Sequence, residues 1–405
     1  MGEQKPEKTK KHICAGLLAH VDAGKTTLSE AMLYEAGARR TLGRVDHQDA
    51  FLDTHALERA RGITIFSKQA LLETEHRAVT LVDTPGHVDF SAEAERIMPV
   101  LDCAVLVISG TDGVQSHTET LWRLLRRYHV PTFVFVNKMD LPGKSREELL
   151  AQLNHRLGEG FVAFDAPQAD RDEALALCDE NLMDRMLDAG QLTDADIIPA
   201  VARRHVFPCW FGSALRRTED DALESVDALM DGIDRYTRPA PALDAFGAKV
   251  FKVSQDEQGT RLTWLRVNGG EMKVKAQLSG EADGEPWEEK ANQLRLYSGV
   301  KYTLAEAIGP GQVCAVTGLT KARPGEGLGA ERDSDVPVLE PVLSYQVLLP
   351  EGADVHAALG KLHRLEEEEP QLHVVWNETL GEIHVQLMGE IQLEVLKSLL
   401  AERYG

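Results

Sequence analysis

Hydrophobic and polar residues alternate along this chain in two rhythms, and the change from one to the other divides it. Over the first half, near-continuous apolar runs at 13–18, 79–82, 104–108 and 132–136 are separated by stretches with helical spacing at 26–35, 90–100, 115–128 and 146–157. Short unbroken Val, Ile, Leu and Phe runs predict strands buried on both faces, and the intervening periodicity predicts helices. Strands alternating with helices imply a mostly parallel sheet covered on both sides, an α/β fold. Residues 158–204, rich in acids and alanines at helical spacing, read as an insertion into that unit.

Past Arg238-Pro239-Ala240-Pro241, a stiff helix-stopping link, the rhythm shortens. Alternating segments at 248–253, 262–267, 273–278, 293–296 and 312–317 are divided by turns such as Asn268-Gly269-Gly270 and Gly309-Pro310-Gly311. That pattern predicts an all-β barrel. A loose stretch at 321–340 then leads to a strand at 342–349, a helix at 355–365, a hairpin of 372–376 with 383–388, and a last helix at 390–403. The order β-α-β-β-α is a ferredoxin-like unit without its last strand. A sheet edge left unpaired in this way marks the chain as a shortened version of a longer one. Three domains are expected, over 1–239, 240–335 and 336–405.

Composition narrows the class. A net charge of −21 over 405 residues excludes a globally basic nucleic-acid coat but not local basic patches. Five cysteines (Cys14, Cys103, Cys178, Cys209, Cys314) are scattered without a C-x-x-C pair, which suits buried thiols in a reducing compartment. Residues 1–11 are polar and lysine-rich, neither a signal peptide nor a membrane anchor, and no apolar run approaches the ~18 residues that a span requires. Asn377-Glu378-Thr379 reads as a turn, and the acidic run 366–369 as a solvated helix end. A soluble, cytoplasmic protein without a membrane partner is expected, and nothing demands more than a monomer.

Ligands of parallel sheets bind beyond the carboxyl ends of the strands, and the candidate chemistry gathers there. Ala19-His20-Val21-Asp22-Ala23-Gly24-Lys25-Thr26-Thr27 joins the first apolar run to the first helix. Backbone N–H groups of such a loop and first turn lack intrahelical partners, so His20 through Thr27 form a phosphate cradle. Lys25 would reach the β- and γ-phosphates and the Thr26 hydroxyl would hold Mg²⁺. The strict pattern has glycine where Ala19 stands. Asp83-Thr84-Pro85-Gly86-His87 follows the second run: Asp83 can hold the Mg²⁺ hydration shell, and Gly86 can bring its N–H against a γ-phosphate. Thr64, in Leu57-Glu58-Arg59-Ala60-Arg61-Gly62-Ile63-Thr64-Ile65, is a candidate second hydroxyl ligand. Asn137-Lys138-Met139-Asp140 follows the fourth run. Asp140 suits the adjacent N1–H and amino donors of guanine and would be left unsatisfied by adenine. Asn137 would brace the loop, Lys138 would lie along the base, and the Ser213-Ala214-Leu215 backbone could support it.

Taken in order, AHVDAGKTT, ERARGITI, DTPGH, NKMD and GSAL resemble the G domain of translational GTPases, the elongation factor G and Tu superfamily. The resemblance implies GTP/GDP and Mg²⁺ as ligands. It also implies that His87 orients the attacking water between Val21 and Ile63, and that Asp22 steadies the loop, with a monovalent cation near it. An insertion between NKMD and GSAL resembles elongation factor G rather than Tu. LGRVD…DTHALERARGITI and LGEIHVQLMGEIQLEVLKSLLAERYG resemble the tetracycline ribosomal protection proteins of the TetM and TetO type. That family's partner is the ribosome, its rRNA and ribosomal proteins, and it continues into two domains beyond the stretch matched here. A ribosome-dependent GTPase of the protection type is therefore expected. An elongation factor G-like translocase, or a nucleotide-gated binding module with a non-ribosomal partner, are the alternatives.

Overall fold

A computed structural model of the chain describes residues 10–43, 51, 58, 63–216, 223, 225–282 and 284–405. Its largest sheet is built from β1 (Lys11–Ala19), β2 (Lys68–Glu73), β3 (Arg77–Asp83), β4 (Cys103–Ser109), β5 (Thr132–Asn137), β6 (Phe161–Ala163) and β7 (Phe207–Phe211). The order is β2-β3-β1-β4-β5-β7-β6, parallel throughout except for β2 on its edge. The mostly parallel α/β sheet read from the sequence is thus present. Both faces are covered, by α1 (Lys25–Glu35), α2 (Ser91–Ile97), α3 (Ser116–Arg127), α4 (Arg146–Leu157), α5 (Gln168–Ala176), α6 (Glu180–Ala189), α7 (Asp194–Ala202) and α8 (Val226–Tyr236). Because successive strand residues face opposite ways, Leu17 and Phe133 join one core with Leu28 and Ile233, while Leu18 and Val134 join another with Leu121 and Leu153.

Local chemistry explains the boundaries. Ser145 caps α4, accepting the Glu148 N–H at 3.2 Å while the Glu148 carboxylate accepts the Ser145 N–H at 2.8 Å. The helix expected at 90–100 is broken into a 3₁₀ turn at Val88–Phe90, α2, and a second 3₁₀ turn at Met98–Val100. Pro99 in that last turn has no N–H to continue the ladder. Residues 158–204, expected to be helical, hold the strand β6 and then α5–α7, and Leu175, Leu182, Ile197 and Val201 of those helices bury themselves in the first core.

The second unit comprises β8 (Gly247–Gln255), β9 (Arg261–Gly269), β10 (Met272–Lys273), β11 (Gln277–Ala282), β12 (Glu285–Lys290), β13 (Gln293–Ser298), β14 (Lys301–Ala305), β15 (Ala307–Ile308), β16 (Val313–Thr317) and β17 (Gly327–Gly329). Six of them form an antiparallel sheet, β14-β13-β16-β9-β8-β17, and β10-β15 and β11-β12 add two ribbons around the same core. One strand expected at 273–278 is two, β10 and β11, separated by a turn in which Lys275 takes φ 66°. The third unit has β18 (Leu343–Val347), α9 (Val355–Glu368), β19 (Val375–Asn377), β20 (Glu382–Leu387) and α10 (Glu390–Tyr404), with sheet order β18-β20-β19.

Buried charges join the units. Arg266 of β9 places Nη2 at 2.7 and 2.8 Å from both oxygens of Asp102, just before β4, and donates from Nη1 to the Val100 carbonyl at 3.0 Å. Asp102 also accepts the Cys14 N–H of β1 at 2.8 Å. Cys14, Val82, Ile97, Val100, Phe251 and Val313 form one apolar cluster beside this pair. Arg266→Met should leave Asp102 buried without its cation and destabilise the chain by about 3–5 kcal/mol. Adding Asp102→Asn should recover much of that loss, as urea unfolding of the single and double variants would measure.

Candidate functional site

The loop after β1 bends because two of its residues take left-handed backbone: Asp22 at φ 62° and Gly24 at φ 90°. Asparagine and aspartate tolerate that region and glycine enters it freely. At Gly24 a second constraint applies, since a Cβ there would overlap the Asn137 side-chain amide. α1 then starts at Lys25 with no side-chain cap on its N-terminus among the described residues, which leaves first-turn N–H groups facing out of the helix.

Around this loop the separate segments of the sequence converge. Lys25 bonds Asp83 at the end of β3, and its ammonium lies 3.1 Å from the Thr64 hydroxyl. Thr64 Oγ1 is 3.4 Å from Thr26 Oγ1 and 3.4 Å from Asp83 Oδ2. Lys25, Thr64 and Asp83 are all buried. Gly86 lies against the loop, so that a Cβ on it would sit 3.4 Å from the Ala19 carbonyl oxygen and 3.7 Å from the Val21 nitrogen. His87 opens the turn Val88–Phe90 and accepts the Asp89 N–H through Nδ1 at 3.2 Å, which puts the neutral ring's hydrogen on Nε2.

From the other side, Asn137 ties two loops together. Its Nδ2 donates to the Ala23 carbonyl at 3.1 Å and its Oδ1 accepts the Ala214 N–H at 3.0 Å. Lys138, itself at φ 66°, donates to the Asp22 carbonyl at 2.5 Å. Ser213 Oγ accepts the Leu215 and Arg216 N–H groups at 3.3 and 3.2 Å. A cleft of about 280 Å³ results, lined by His20, Val21, Asp22, Gly24, Lys25, Thr26, Thr27, Ile63, Thr64, Gly86, His87, Lys138 and Leu215. Asp140 stands exposed next to it and is not part of the lining, and Asn137, Ser213, Ala214, Ala23 and Asp83 support it from behind. Residues 59–62 of ERARGITI, most of 44–57 and residues 1–9 lie outside the described residues.

Two neighbours of the cleft escape a reading of the sequence alone. His117, in the first turn of α3, is buried with its ring 6.0 Å from that of His20, and among the described residues neither of its nitrogens has a hydrogen-bond partner. Burial, reinforced by His20 and His87, pushes its pKa down to about 4, so it is neutral at ordinary pH. In the sequence it is an unremarked polar residue of a helix start. Asp89 is the other, and its partners lie far along the chain.

Comparison with known proteins agrees with this arrangement. The family model described as the elongation factor Tu GTP-binding domain matches residues 10–239. Tetracycline resistance protein TetP of Clostridium perfringens is 30% identical over 98% of this chain and 64% of its own length. Elongation factor G of Ureaplasma urealyticum is 30% identical over 94% of the chain and 65% of its length, and TetM of Streptomyces lividans 34% over 96% and 64%. The chain thus spans just under two thirds of these relatives. A solved structure from Thermus thermophilus superposes with a TM-score of 0.81 at 25% identity, over 96% of this chain and 66% of that one. Gly24→Ala, strained in its backbone and crowding Asn137, should weaken GDP binding about tenfold or more, a loss of about 1.4 kcal/mol, by calorimetric titration.

Proposed function

The chain belongs to the translational GTPases that carry the elongation factor Tu GTP-binding domain, and from that footing we propose that it is a ribosome-dependent GTPase of the ribosomal protection type. The observation that supports this reading is the cleft itself: Lys25, Thr26, Thr64, Gly86 and His87 face one space, and Lys138 and Leu215 close it from the opposite side. In the proposed mechanism the N–H groups from His20 to Thr27 hold the β-phosphate and Lys25 moves its ammonium onto the β- and γ-oxygens. Two hydroxyls and a carboxylate, all oxygen donors, suit Mg²⁺, so Thr26, Thr64 and Asp83 would hold it. Its chemistry there is to neutralise charge on the phosphates. Gly86 presents its N–H to the γ-phosphate.

His87, with hydrogen on Nε2, donates to the attacking water and orients it, while Val21 and Ile63 flank the path. Its role is placement rather than proton removal, since the ring has no second lone pair free. Asp22 steadies the loop and is where a monovalent cation would sit. Asp140 reads guanine, Asn137 holds the loops in register, Lys138 lies along the base, and Ser213, Ala214 and Leu215 back it with main-chain groups. Contact with the ribosome, its rRNA and proteins, completes the alignment of His87, and hydrolysis releases the factor.

Elongation factor G of Ureaplasma urealyticum matches the chain at the same identity as TetP, so translocation is the second reading. Tetracycline tolerance of cells expressing the full-length gene separates the two: no protection rejects the first. Asp140→Asn should lower GTP affinity more than about tenfold and favour the xanthine nucleotide, whose carbonyl accepts from the new amide. Unchanged GDP affinity in a titration would remove Asp140 from base reading. His87→Ala should leave affinity intact and abolish ribosome-stimulated phosphate release, which a phosphate-sensor assay reads directly.

A further inference from the structure

His87 is held by more than its own loop. Two residues on, Asp89 donates its N–H to His87 Nδ1, and its carboxylate Oδ1 lies 3.4 Å from the same nitrogen. The other oxygen, Oδ2, accepts the Ile391 N–H at 2.9 Å and the Gln392 N–H at 3.4 Å. Those are first-turn groups of α10, about three hundred residues away in the chain. α10 is fifteen residues long and its own N-cap is Gly389, which has no side chain to offer. Its unpaired N–H groups are therefore met by a carboxylate from the segment that carries His87.

The packing around this contact points the same way. Ile65, Phe90 and Val395 form one buried cluster, with Ile63, Phe66, Ile391 and Leu399 packed on it. Phe90 in turn sets the edge of its ring against His87, with centroids 6.3 Å apart. Gly389 has extended backbone, φ −172°, that any residue could adopt. What it supplies is space, because a Cβ there would overlap the Asp89 carboxylate.

We propose that Asp89 is a positioning residue through which α10 sets the place of His87, so that a displacement of the third unit is felt at the nucleotide. This rests on the reading of His87 as the group that orients water. The link to the helix end is a charge-assisted hydrogen bond, and one residue joins both partners: Asp89 bonds His87 through its own N–H and α10 through its carboxylate. Asparagine caps helices about as well as aspartate, whereas alanine does not.

The test uses the 405-residue chain, with GDP titration and single-turnover GTP hydrolysis on ribosomes. Asp89→Ala and Gly389→Ala should each slow hydrolysis about tenfold or more while GDP affinity stays within about twofold, a split expected of misplacement rather than lost binding. Amide exchange at Ile391 and Gln392 should quicken in both. Asp89→Asn should restore hydrolysis to within about threefold of the parent chain. A Gly389→Ala chain that hydrolyses at the parental rate, beside an inactive His87→Ala control, would overturn the link and leave the role of His87 standing. Asp89→Asn as slow as Asp89→Ala would overturn it too. A fully active His87→Ala chain would take down both readings together.

Discussion

Strands β3, β1, β4 and β5 run side by side in one direction, with Leu17 of β1 level with Asp83 of β3 and Ser109 of β4 level with Asn137 of β5. This parallel pairing is the constraint on which the remaining features depend. Each parallel strand must end on the same rim, reached by a connection that returns across a face, and the antiparallel β2 begins there with Lys68 opposite Asp83. Loops separated by more than a hundred residues are thereby brought to one edge, where Asn137 can bond the carbonyl of Ala23. No local interaction could assemble Lys25, Asp83 and Asn137; the sheet does so by its direction, and Thr64 joins them because β2 begins at that rim.

Ion pairs between side chains join the three units in addition to the linkers. Arg266 meets Asp102, Lys252 meets Glu93 at 2.9 Å and the Ser67 carbonyl at 2.9 Å, and Arg96 forms a two-pronged pair with Glu369 at 2.6 and 3.0 Å. Glu95, next to Arg96, accepts the Val338 and Leu339 N–H groups at 2.8 and 3.0 Å. α2 is thus bonded to both later units through Glu93, Glu95 and Arg96. It begins directly after the turn that carries His87. Geometry at the cleft and the posture of the later units are parts of one network.

Much of this was legible in the sequence. Apolar runs marked the buried strands because a strand covered on both faces has no polar side to show. The glycine- and lysine-bearing loops marked the rim because phosphate and base recognition demand particular residues at fixed spacing. Other features were not legible, for physical reasons. β2 alternates weakly and owes its antiparallel pairing to β3, which a local pattern does not record. The interruption of 90–100 follows from one proline, and the division of 273–278 from one left-handed lysine. Asp89 looks like an ordinary acid in a first turn, and its partnership with Ile391 exists only once the chain has folded. Asp140, by contrast, was singled out for its chemistry and yet lies exposed, outside the lining of the cleft.

The bond between Lys25 and Asp83, with the Thr64 hydroxyl beside both, balances the charges inside the cleft. On the proposed reading, binding is an exchange of partners: the ammonium turns to phosphate, and the Asp83 carboxylate would then hold a divalent ion. On that reading each buried charge passes from one opposite charge to another and none is left bare.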